Sequence, residues 1–130
     1  MKDLFGNTIF EGFSINTAKK MIKALQYRKQ RDLYYKRTIK EIEINENHLF
    51  EKFQQQEGKC YWTSLNLDEK YNLISKHPFA ISVERLDNNI GYTFDNIVLT
   101  RRIFNLGRSD FPEKDFYDVI KSLKEDFKNI

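Results

Sequence analysis

From Ser14 onward the apolar residues recur at helical spacing. Ala18, Met21, Ile22 and Leu25 fall at i, i+3, i+4 and i+7, one stripe of a helix that Ser14 or Asn16 can cap. A second helix is predicted from Asn45 or Asn47 to about Glu57, with Leu49, Phe50 and Phe53 as its apolar face and Gly58 ending it. The period then changes. Ile81 and Val83 alternate with Ser82 and Glu84, the pattern of a half-buried strand, and Ile97-Val98-Leu99-Thr100 is a short β-rich run. Asp87-Asn88-Asn89 and Gly91 between them turn the chain back. Thr100 is expected to cap a short helix that carries Ile103 and Phe104 inward and stops at a left-handed Gly107. After Asp110-Phe111-Pro112, the residues Phe116, Val119, Ile120, Leu123 and Phe127 return to helical spacing and predict a last amphipathic helix on the core. Residues 1–15 read as a loop or short strand, GKCYWTSLNL as a strand and turn, and residues 68–77 as a loop leading to Pro78.

This order predicts an α+β protein in two parts. Residues 1–45 form a basic N-terminal helical arm. Residues 46–130 form a ββα core closed by the C-terminal helix.

Composition sharpens the picture in three places. With 130 residues, 40% of them apolar and eleven of them Phe, the chain suffices for one compact domain. Its single cysteine allows no intrachain disulfide and no Cys-pair zinc site, so no structural zinc is expected and Cys60 reads as a small buried hydrophobe. The N-terminal MKDLFGNTIFEGF lacks the apolar run of a signal peptide, and no stretch is long enough to span a bilayer. An intracellular protein, in a bacterial or virus-infected cell, is expected. Abundant Lys, Asn and Ile hint at an AT-rich, viral genome.

Charge is uneven. The net charge is only +3, yet the segment 17–40 holds nine Lys or Arg against one acid, Asp32. Lys19, Lys20, Lys23, Arg28, Lys29, Arg31 and Arg37, with Tyr27, Tyr34 and Tyr35 interleaved, suit a nucleic-acid backbone. A solvated helix face with tyrosines packed beneath is the plainer use of such a run. Arg101, Arg102 and Arg108 add cations beside the predicted strand pair.

The stretch ISVERLDNNIGYTFDNIVLTRRIFNLGRSD resembles the ββα-metal core of the HNH (His-Me finger) endonucleases. Around DNIVLTRRIFNLGRSD it is similar to the HNH domain of RNA-guided CRISPR effector nucleases. The preceding GKCYWTSLNL is similar to a phage-type branch. The likeness covers about residues 46 to 112. It implies a metal-dependent DNA endonuclease or nickase of phage or mobile-element type, with RNA not excluded as substrate. It implies Mg²⁺ or Mn²⁺ held by Glu84 and Asn105, with Asn96 bracing the loop. Arg85 stands where the family has its catalytic His. Arginine stays protonated and cannot serve as general base, which leaves His77, Asp87 or a metal-bound water for that task. Arg85 can instead clamp a phosphate in two-pronged fashion.

Each residue also has an ordinary use. Glu84 and Arg85 fit a charged strand surface, Asp87-Asn88-Asn89 a plain turn, Asn96 a loop brace and Asn105 a helix end. Trp62 reads as core, and His48 as a first-turn helix residue without chemistry. The alternative function is therefore a DNA-binding module on a catalytically degenerate HNH fold.

Overall fold

The computed structural model describes residues 2–128. Among them are four α-helices and one antiparallel pair of strands, a mixed α+β fold. The helix α1 (Ile15–Tyr34) begins at Ser14, whose hydroxyl accepts from the Thr17 amide. Its start is tied further: Ser14 Oγ donates to Glu69 Oε1 at 2.7 Å, and the Thr17 hydroxyl donates to the same oxygen. A carboxylate at this end also complements the helix dipole. The helix α2 (Glu46–Gln55) has a reciprocal cap. Asn45 accepts from the amides of Asn47 and His48, and His48 Nδ1 accepts from the Asn45 amide at 2.9 Å. His48 thus closes a helix end. Gly58, in left-handed conformation at φ +69, follows α2, and its amide returns to Phe53 O.

The strands β1 (Ile81–Arg85) and β2 (Ile97–Arg101) pair with Val83 opposite Leu99. Alternation sends Ile81, Val83, Ile97 and Leu99 into one core with Leu49, Phe53 and Trp62. Phe13, Ala18, Ile22, Leu25 and Ile44 belong to that same core. The boundary expected at residue 45 therefore does not separate two packing units. The basic helix is a wall of the molecule rather than an arm. No helix among the described residues is long and apolar enough to cross a membrane.

A two-stranded sheet has two open edges, and side chains close both. Asn72 presents its carboxamide to Ile81, accepting from the amide at 2.9 Å and donating to the carbonyl at 3.1 Å. Gln56 does the same at Leu99, at 2.8 Å in each direction. Asn105 donates to Val83 O and Arg108 to Arg85 O farther along β1. A carboxamide carries one acceptor and two donors, so it can stand in for the peptide group of a neighbouring strand.

Five expectations change. GKCYWTSLNL forms a tight turn closed by a single bridge between Lys59 and Asn66, with no strand of its own. The helix α3 (Arg102–Arg108) is capped by Arg101 without a side-chain bond, while Thr100 is buried in β2 with its hydroxyl unpartnered. Gly107 lies inside α3, and Ser109 takes the positive φ of 53 beyond its end. Ile103 is exposed, and the buried residue of α3 is Arg108. In α4 (Glu113–Lys128), Phe116 and Ile120 are buried, but Leu123 and Phe127 on the same stripe are 43% and 67% exposed, because the helix runs past the edge of the core.

Gly91 has a different role from the turn residue expected. Residues 41–43 lie alongside Tyr92: its amide donates to Glu41 O and its carbonyl accepts from Glu43 N, each at 2.8 Å. A Cβ on Gly91 would stand 2.6 Å from Glu41 O, so close backbone approach is what requires glycine.

Candidate nucleic-acid interface

β1 delivers the expected site residues to different surroundings. Ser82 and Glu84 point to the side of α3 and Trp62, while Arg85 points the other way. Glu84 is 3% exposed. Trp62 Nε1 donates to both of its carboxylate oxygens at 3.0 and 3.1 Å, and Arg108 Nη1 donates to Oε2 at 2.9 Å. Burial pushes this carboxyl above its ordinary value, against the opposing pull of Trp62 and Arg108. Arg108, 2% exposed, spends its other donors on the carbonyls of Arg85, Leu86 and Phe111. It joins the end of β1 to the turn between α3 and α4. Arg108 was expected at a phosphate. Its burial overturns that, because every edge of the guanidinium already has a partner inside the protein.

Asn105 sits elsewhere. Its Nδ2 donates to Ser82 Oγ at 2.8 Å and to Val83 O at 3.4 Å. It lines a cavity of about 480 Å³ with Arg28, Arg85, Asn88, Tyr92 and Asp110, to which Glu84 contributes nothing. Among the described residues no hydrogen bond and no shared cavity joins Glu84 to Asn105. Among the described residues no three His, Cys, Asp or Glu side chains gather as a metal cluster either. A Mg²⁺ or Mn²⁺ ion at the site that the family resemblance implies would have to compete for Glu84 with an indole and a guanidinium.

Asn96 braces the loop between the strands. Its Oδ1 accepts from the Asp87 amide at 2.9 Å, and its Nδ2 donates to Asp87 O and Gly91 O at 3.0 Å each. His77 is turned inward on its own segment: Nδ1 accepts from the Phe79 amide at 3.0 Å, and the ring lies 4.6 Å from that of Tyr71. It lines none of the cavities around Arg28. Asp87 accepts from the Asn89 amide at 2.9 Å, which makes it a turn residue.

The open chemistry lies between α1 and β1. Three cavities adjoin there, and Arg28 lines all of them. One end carries Arg102 with Asn72 and Ser82. The middle carries Arg85 and Asn105. The other end carries Lys29, Lys40 and Thr38. The cations in this cleft differ in freedom. Arg85 Nη1 donates to Asn88 O and Ile90 O, and its guanidinium stacks 5.2 Å from the Tyr92 ring centre. Lys29 pairs with Glu41 at 2.8 Å, and Lys40 reaches Asn89 O. Arg28 has no ion pair among the described residues. Of the other expected contacts, Lys19, Lys20, Lys23, Arg31 and Arg37 are exposed on or beyond α1, the last two sharing Asp32. Arg101 binds Asn66 O and covers the Phe79 ring, away from the cleft.

Trp62 lies in the core as the sequence predicts, and its indole N–H also fixes Glu84, a partnership that no sequence signal marks. Nor does one mark the burial of Arg108 or single out Arg28 among nine cations. Comparisons of the chain with models of protein families, with curated proteins and with solved structures find no match.

Proposed function

We propose that the protein binds the sugar–phosphate backbone of nucleic acid, DNA in the first place, in the cleft between α1 and β1, as a binding module on an HNH-like scaffold without turnover. The observation that carries this reading is the contrast at the cleft. Its open wall presents Arg28, Arg85 and Arg102, while the carboxylate that hydrolysis would need is closed against Arg108 and Trp62. Arginines spaced along a trough neutralise phosphates and release counterions, which gives binding without sequence preference.

A second reading is a metal-dependent endonuclease. It is favoured by Arg85 and Asn105 sharing one cavity, and it requires Glu84 to leave both of its partners.

One experiment separates the two. Labelled duplex DNA is titrated across a salt series with wild type and Arg28→Gln, and supercoiled plasmid is incubated with Mg²⁺ or Mn²⁺ beside EDTA and Asn105→Ala. Salt-sensitive binding is expected, with the Arg28→Gln salt slope shallower by about one, and no nicking. Nicking that EDTA and Asn105→Ala both abolish favours the enzyme. Absence of DNA binding at low salt would sink both.

A further inference from the structure

We infer that the outward face of α1 is a stacking platform for unpaired bases, so that the preferred ligand is single-stranded nucleic acid or the single-stranded part of a junction. This rests on the backbone-binding reading of the cleft.

The helix has three distinct flanks. Ala18, Ile22 and Leu25 are buried. Arg28, with Met21 and Ala24, faces the cleft. The third flank carries Lys20, Lys23, Tyr27, Arg31 and Tyr34 at i, i+3, i+7, i+11 and i+14, a single row that is exposed throughout. Tyr27 is 69% exposed and Tyr34 80%. Long polar side chains would solvate such positions, and this row instead sets one phenol ring between cations and a second at its end. Tyr34 meets Tyr35 edge-on at 5.0 Å, and the Arg37 guanidinium covers Tyr35 at 5.0 Å, which extends the aromatic surface past the helix end.

The row is about 21 Å long at 1.5 Å per residue, or about six steps of a strand stacked at 3.4 Å. The two tyrosines lie about 10 Å apart along it, about three such steps. Flat rings alternating with cations suit unstacked bases, because every base has a face to stack and every linkage a phosphate to neutralise. A duplex offers the row only phosphates. Between row and cleft stands Ala24, exposed and lining the cavity, so the lip is low where a strand would cross. A strand whose phosphates run past Arg28 can turn its bases outward over Tyr27.

The test compares a labelled oligothymidine with a hairpin duplex of equal charge, using wild type, Tyr27→Ser/Tyr34→Ser, Tyr27→Phe/Tyr34→Phe and Arg28→Gln. Thermal melts confirm that each folds. The serine pair is expected to weaken single-strand binding at least about tenfold, with less than about a twofold change on the duplex, and the phenylalanine pair to retain wild-type affinity. Equal losses on both ligands, no loss on the single strand, or a phenylalanine pair as weak as the serine pair would each overturn the platform. Arg28→Gln reports on the cleft separately, through weakening of both ligands. A protein whose single-strand binding needs the tyrosines but is indifferent to Arg28 keeps the platform and loses the cleft. Failure of wild type to bind either ligand removes both.

Discussion

Arg108 and Arg28 carry the same guanidinium into opposite surroundings. Arg108 lies inside the protein, with Glu84 and three backbone carbonyls spread around it. Arg28 stands at the junction of three cavities and has no ion pair among the described residues, with Asp32 and Asp110 lining two of the same cavities. One arginine is a structural tie between β1 and the α3–α4 turn, and the other is free to meet a ligand. The difference teaches how to weigh a basic residue. A buried charge each of whose nitrogens already donates inside the protein has little left for a partner. One held at an open wall keeps its whole field available.

The sharpest way to break this comparison is to truncate both arginines. Arg108→Ala strands a buried Glu84 beside orphaned carbonyls and is expected to cost about 3–5 kcal/mol of stability, a large share of what a domain of this size has. Arg28→Ala is expected to shift stability by no more than about 0.5 kcal/mol. Urea unfolding of both reads the contrast directly. Comparable losses for the two would mean that Arg28 is structural and that the cleft reading is misplaced.

Next in size is Gly91→Ala, which tests whether the open side depends on the strap at residues 41–43. A methyl 2.6 Å from Glu41 O forces the two segments apart. A loss of about 1–3 kcal/mol is expected, with Arg28-dependent binding weakened as well, since Lys40 leads into that strap. An unchanged melt would show that the strap yields cheaply.

The smallest effect concerns Tyr61, whose hydroxyl donates to Glu113 beside Trp62. Burial, and then that hydrogen bond, push the phenol up to about 12. A raised folded value means the group's stabilisation is complete below its ordinary 10.0 and is lost as pH rises from there through about 12. Wild type is therefore expected to lose more stability than Tyr61→Phe over that window, with denaturation followed by fluorescence. Parallel pH profiles would show that Tyr61 titrates freely.

Much of the frame was legible in the chain. Ser14 and Asn45 fix two helix starts because side-chain caps are local chemistry. The period-2 alternation at Ile81 and Val83 found one strand and the β-rich run at Ile97–Thr100 the other, and the amide of Asn96 braces its loop as expected. The relations that decide the site were less accessible. Alternation told which side of β1 Glu84 faces, but its partners come from residues 62 and 108, and no spacing rule pairs them. Helical periodicity separated Leu25 from Lys23, yet among exposed cations it could not say which flank would meet β1. The glycines show the same limit. Gly107 looks like a helix stop and is not one, while Gly91 looks like a turn residue and is needed because another backbone passes beside it.

The carboxamides of Asn72 and Gln56 have a consequence beyond this fold. A sheet of only two strands leaves rows of unpaired amides and carbonyls that invite strands from other molecules, the first step toward aggregation. Here each edge is answered, at the start of β1 and in the middle of β2, by a side chain that reads both the donor and the acceptor of one residue. A third strand, foreign or its own, would have to displace these contacts before it could add. The sheet is self-limiting, and the small β core can stay in solution beside exposed apolar residues without a larger sheet to protect it.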